Sequence, residues 1–294
     1  MELQWPLILF TTFVAWSCGL FGAQAVASLF GEGRRAQMAS LVTSAVLMAV
    51  GGIAVFFHLE HWERIFNGFG NPTSGITQEL VCIVVVAVLM VVAFVAIRKN
   101  AQEPSGKSLP RALAICMVVA AVVTVLVTGH SYMMDARPAW NSVLGPLSLV
   151  GAACALGPLT FAVIEAACGH AVGRGVAWGA VGGAVANVVL SGAYLFAMEV
   201  SGSAYTEVGY YIDPTDPTAG MVDVAALSPF AGESVAMVAA TVIAIIVTLV
   251  CALAAHKSGS WKVWGSVGVA GAAVGAVALR MAFYSVGASV YLFY

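Results

Sequence analysis

The chain has 294 residues, 61% of them hydrophobic and only 9% charged, with a formal net charge of -2. A water-soluble domain carries roughly 25% charged residues, so this composition cannot cover a water-facing surface and belongs to an integral membrane protein. The small net charge, with no basic run, offers nothing to nucleic acid.

About 20 apolar residues at 1.5 Å rise cross a hydrocarbon core of roughly 30 Å, and eight segments qualify. The N-terminal "MELQWPLILF" lacks the basic start and small-residue cleavage site of a secretory signal and reads as the lead-in to a retained helix. The first span is predicted at 6–30, followed by Arg34 and Arg35. The second, at 38–58, runs into "FFHLEHWERIFNGFG", where His58, Glu60, His61, Glu63, Arg64 and Asn67 gather. "NPTSGITQ" then leads into Glu79 and the third span at 77–97. Thr77 or Ser74 is placed to cap that helix, and a carboxylate in its first turn suits the helix dipole. The fourth span, 111–130, ends in His130, Tyr132, Asp135 and Arg137.

The fifth span, 141–164, contains Gly145-Pro146 and Gly157-Pro158, either of which could interrupt it. The sixth, 172–198, carries "GAVGGAVAN", whose small residues suit close helix packing. The 199–228 connection is acidic, with Glu199, Glu207, Asp213, Asp216 and Asp223 and no Lys or Arg. Spans seven and eight follow at 229–255 and 262–286, and the last holds Arg280 and Tyr284. The fold class is therefore all-α: one polytopic membrane domain over 1–294 with eight transmembrane helices. Pro6-Leu7-Ile8-Leu9 is echoed by Pro146-Leu147-Ser148-Leu149, as two four-helix halves would give, although chance gives a four-residue echo as readily.

Lys and Arg set the expected orientation. Arg34, Arg35, Arg98, Lys99, Lys107, Arg111, Arg174, Lys257 and Lys262 fall in connections on one side; Arg64, Arg137 and Arg280 fall towards the other. The first group is expected to be cytoplasmic, which puts both termini outside. Trp5, Trp62 and Trp140 suit an interfacial aromatic belt. The six cysteines are single and form no C-x-x-C pair, so they read as small buried hydrophobes rather than cluster ligands.

Ionisable groups are costly in hydrocarbon and mark function when they occur there. Here they avoid the middles of the spans and collect at the outer ends. Glu60, His61 and Glu63 read mainly as a solvated rim. His58 lies one turn deeper, and its role is open between structure and chemistry. Arg280 follows ten apolar residues and needs a carboxylate, carbonyls or a polar ligand; Tyr284, four residues on, shares its face. No H-E-x-x-H zinc pattern occurs, and only His58 with His130 suits bis-histidine haem by depth. A quinol site fits this inventory better: its head group needs hydrogen-bond donors and acceptors for two protons. The rivals are a secondary transporter, whose polar site would sit near the midplane, and a purely structural anchor.

"WPLILFTTF", "HLEHWERIFN", "TQELVC", "ARPAWNSVLGPLSL" and "LRMAFYSVG", in that order along most of the chain, resemble the membrane-anchor subunit of DMSO reductase (DmsC), within the wider NrfD-like quinol-interacting family. The resemblance implies an anchor in the bacterial inner membrane that holds two partners. One is a four-cluster ferredoxin-like iron–sulfur subunit and the other a molybdopterin catalytic subunit. It implies oxidation of menaquinol, with no haem, Fe–S cluster or metal in this chain. His58 matches the family histidine after span two, Glu79 the glutamate opening span three, and Arg280 and Tyr284 the last-span pair. On that basis His58 and Glu79 handle the quinol protons, while Arg280 and Tyr284 line the site or hold Glu79 charged. Glu60 and Trp62 stand where the family commonly has Gly and Pro, so the turn after His58 departs from the pattern.

Overall fold

The computed structural model describes residues 3–58, 70–100, 108–204 and 227–289, and all regular structure among them is helical. Eight helices are long and apolar enough to cross a membrane. They are α1 (Trp5–Leu29), α2 (Gln37–Phe56), α3 (Gly75–Asn100), α4 (Arg111–His130), α5 (Leu144–Ala167), α6 (Arg174–Val200), α7 (Ser234–Ser258) and α8 (Ser266–Ser285). The charges sit at the ends, where they suit the helix dipole: Arg98 and Lys99 close α3, and His256 and Lys257 close α7. Pro6 opens α1, where a missing N–H costs nothing. Arg34, Arg35, Arg98, Arg174 and Lys257 share one face of the bundle, called the basic face below. The other, with Glu199 and Glu233 at helix ends, is the acidic face.

The spans agree with the hydropathy reading to within a few residues, with informative exceptions. The second ends at Phe56, so Phe57 and His58 lie in a turn beyond it. The seventh starts at Ser234 rather than 229, because the preceding Ser-Pro-Phe-Ala-Gly stretch forms turns. The fifth is not interrupted: α5 runs unbroken through Pro158, and Pro146 sits near its start. Proline at 158 cannot bond the carbonyl of Cys154, and there α6 comes so close that Gly183 has no room for a Cβ.

Helix contacts close two rings. In the first, α1 packs on α2, α2 on α3, α3 on α4 and α4 on α1; in the second, α5, α6, α7 and α8 do the same in order. The rings share a seam of α1 on α5. Three spans lie between α1 and α5, so the two helices, and with them the two halves, run the same way through the bilayer, as the Pro6 and Pro146 echo suggested. A Cβ on Gly157 would strike the backbone of Gly19 and Leu20, and one on Gly19 would strike Ala153. Without hydrophobic drive between helices in lipid, such backbone contact is what holds a seam. The Trp16 indole adds a hydrogen bond to Thr160 Oγ1 at 2.8 Å across it. On the basic face, the Glu32 carboxylate accepts from the backbone N–H groups of Gly175 and Val176, both at 3.0 Å. A loop of the first ring thus caps the opening turn of α6 in the second.

Candidate functional site

Odd-numbered helices begin at the acidic face and even-numbered ones end there. Glu79 lies four residues into α3, about 6 Å of rise, and Arg280 five from the end of α8, about 7.5 Å. The two therefore stand at one depth, just inside the apolar layer. Glu79 is not a first-turn capping residue, because α3 begins at Gly75; before it, Asn71 Oδ1 accepts from the Thr73 backbone and hydroxyl instead. From the second turn the Glu79 side chain turns inward, 7% exposed, towards Thr128 and Ser131 at the end of α4, with Arg280 in electrostatic range.

Arg280 is 4% exposed and Tyr284 3%. The guanidinium lies 5.0 Å from the Phe283 ring centroid and 6.0 Å from that of Tyr132. Glu79 Oε1 and Arg280 Nη2 are buried without a hydrogen-bond partner, and Thr128 Oγ1 and Tyr284 Oη, buried too, lie beside Glu79 and Tyr132 without closing a well-formed bond. Each orphaned polar atom costs about 1–3 kcal/mol. These four groups, brought by α3, α4 and α8 to one place, offer both donors and acceptors to a polar molecule. Tyr132 adjoins Tyr284 and Glu79; burial, and then those two neighbours, push its phenol well above the usual tyrosine range, so it remains a neutral donor.

The 131–143 connection builds the wall of this site, which the sequence reading missed. Trp140 is buried rather than interfacial, stacking on Phe283 with centroids 4.4 Å apart and planes within 10°. Its indole N–H donates to the Phe283 carbonyl at 2.8 Å. Arg137 lies 4.4 Å above the Trp140 ring and donates to the Gly287 carbonyl. The Tyr194 hydroxyl donates to the Ala139 carbonyl at 3.1 Å. The stretches "ARPAWN" and "LRMAFYSVG", quoted from the sequence for the family resemblance, are thus two halves of one joint, a contact that their order in the chain did not reveal. Trp5, at 47% exposure, does fit an interfacial belt.

Of the four residues singled out from sequence, the structure brings Glu79, Arg280 and Tyr284 together. His58 is on the same face but exposed in the turn after α2, with its backbone N–H bonded to Val55 and no described contact to the other three. Glu60, His61, Trp62, Glu63, Arg64 and Asn67, and most of the acidic connection, lie outside the described residues. Two of the six cysteines, Cys18 and Cys251, are buried, while Cys116 and Cys168 are exposed.

The family model for the DMSO reductase anchor subunit (DmsC) matches residues 1–196. The chain belongs to the DmsC family. Among curated proteins no relative matches it. The matched stretch runs from α1 to near the end of α6, so it includes Glu79, Thr128 and the Trp140 connection of this DmsC-family anchor. Arg280 and Tyr284 lie beyond it and join the site through the packing of α8. Membership makes the chain a multi-pass membrane anchor of a DMSO-reductase-type complex, with catalytic and electron-transfer subunits as partners.

Proposed function

We propose that this anchor oxidises a membrane quinol, menaquinol by the family resemblance, at the Glu79–Arg280–Tyr284 site. One observation carries the reading: buried donors and acceptors from three helices, without well-formed partners, converge just below the acidic face. Quinol oxidation releases two electrons and two protons. Arg280 and Tyr284 can hold the head-group oxygens by donation. Glu79 takes a proton, and His58, in the turn beyond α2, passes protons to water or receives the second one. The electrons leave to an iron–sulfur subunit docked on the acidic face, from which Glu79 and Arg280 are only about 6–7.5 Å of helix rise away, and from there reach a molybdopterin subunit. In this reading the acidic face is the outer side of a bacterial inner membrane, with both termini outside.

The test is quinol-dependent turnover of the assembled complex, together with binding of a quinone analogue to the anchor. Glu79→Gln should leave assembly intact and lower turnover by about 100-fold or more, the scale of a lost proton acceptor. Arg280→Gln should abolish analogue binding. A Glu79→Gln complex that turns over quinol and binds the analogue as the unaltered one does would remove the site. His58→Ala at the normal rate would remove only His58 from it.

A further inference from the structure

A second site lies at the other end of the bundle and is independent of the quinol reading. A cavity of about 250 Å³ is enclosed by α1, α4, α5 and α6. Cys18 of α1, Phe30 just after that helix, Val125 of α4, Val150 and Phe161 of α5 and Gly179 of α6 mark its extent. Its lining is apolar apart from Glu32 at the mouth, so it offers nothing to a polar head group within the bilayer. Other lining residues, Val26 at 39% exposure, Val122 at 46% and Phe30 at 75%, reach the outer surface of the bundle, so the cavity opens to surrounding lipid. From Cys18 to Phe30 it extends over about 18 Å of rise. Half of a hydrocarbon core is about 15 Å, so the cavity has the depth of one leaflet.

The mouth is on the basic face. Arg174, exposed, is one residue from the lining Gly175, and Arg35, exposed, is three from Glu32. Arg35 Nη1 lies 3.1 Å from His170 Nε2. Arg34 donates to the Asn100 carbonyl at 3.1 Å. The Glu32 carboxylate, the acid at the rim, has both oxygens taken by the amides of Gly175 and Val176. Glu165 accepts from the Gly173 amide close by; both acids keep their charge, but Arg34, Arg35 and Arg174 outnumber them, so the balance at the mouth is positive.

We propose that this cavity holds an acyl chain of an anionic phospholipid from the leaflet on the basic face, with its phosphate between Arg35 and Arg174. The lipid lines the seam between the two helix rings and joins them where α1, α4, α5 and α6 meet. Basic clusters at the cytoplasmic ends of helices recognise anionic lipid in this way.

The experiment reconstitutes the full chain with equal amounts of phosphatidylglycerol and phosphatidylcholine of identical chains, extracts it gently and identifies retained lipid by native mass spectrometry. One phosphatidylglycerol per chain should survive, with a preference of about tenfold or more, the selectivity that two interfacial arginines supply. Arg35→Gln with Arg174→Gln should erase the preference while leaving a retained lipid. Gly179→Phe, at a position where a Cβ meets only Pro158 at 3.9 Å, fills the cavity and should abolish retention; circular dichroism checks that it has folded. Equal retention of both lipids by the unaltered chain, or retention unchanged in Gly179→Phe, overturns the proposal. So does displacement of the lipid by a quinone analogue, which would make the cavity part of the quinol site. Should Gly179→Phe misfold, the arginine pair decides.

Discussion

Trp140 has no part in the proposed proton chemistry, yet it holds the wall of the site. Its ring stacks on Phe283, its N–H holds the Phe283 carbonyl, and the Arg137 guanidinium lies 4.4 Å from its centroid. Trp140→Phe keeps the stack and loses one hydrogen bond, so it should cost about 1 kcal/mol. Trp140→Ala removes a buried aromatic and should cost about 3–5 kcal/mol. Thermal unfolding in detergent measures both, and quinone-analogue affinity should fall for the alanine variant only. This contrast explains what the sequence could and could not reveal about single residues. Arg280 and Tyr284 stood out because a polar group in an apolar run is costly whatever surrounds it, whereas Glu79, just behind the polar NPTSGITQ, stood out through the family resemblance. Trp140 did not, because tryptophan is at home both in an interfacial belt and in a core. His58 was read as part of the span because apolar residues continue to Phe57. The helix stops at Phe56, however, and the histidine emerges in the turn.

For whole helices, hydropathy located all eight spans because the bilayer demands the same length of each. It could not say which helices touch. The chain has 31 glycines, and nothing in their spacing marks Gly19 and Gly157 as the pair on which the two rings close. Their role depends on rotation about the helix axis, which nearly uniform apolar spans leave undetermined. The structure makes this testable with a matched pair. Gly157→Ala drives a methyl into the backbone of Gly19 and Leu20, and should destabilise the bundle by about 1–3 kcal/mol. Gly182→Ala, on the next helix with open space around it, should be neutral or should stabilise by up to about 1 kcal/mol. Melting of the two variants side by side separates seam packing from helix propensity. Equal shifts would mean that the α1–α5 contact does not limit stability. The unbroken course of α5 through Pro158 belongs to the same scale. Where Pro158 leaves the Cys154 carbonyl unbonded along the helix, α6 packs directly against it, so a residue read as a possible break marks a close helix contact.

The molecule as a whole is polarised. The Glu79–Arg280–Tyr284 site proposed for quinol lies within two turns of the acidic face, and the apolar cavity opens on the basic one. Which face meets the cytoplasm decides where an electron-transfer partner can dock, and therefore whether the quinol oxidation proposed at Glu79 has a short way out for its electrons. The charge bias makes a prediction: Arg34, Arg35, Arg98, Lys99, Lys107, Arg111, Arg174, Lys257 and Lys262 should be retained inside. Cys168, exposed just after α5 on that face, is a natural reporter. A membrane-impermeant thiol reagent should leave it unmodified in intact cells and label it in inverted vesicles. In a Cys168→Ser background, Asp135→Cys on the opposite face should show the reverse. The substituted side chain is exposed and gives up only a surface hydrogen bond with Asn141. Labelling of Cys168 from outside would turn the bundle over. The Glu79 site would then face the cytoplasm, and the partner subunits would have to dock there. The site geometry would survive that result, because it rests on the convergence of α3, α4 and α8 alone, but the outward route for protons and electrons would not.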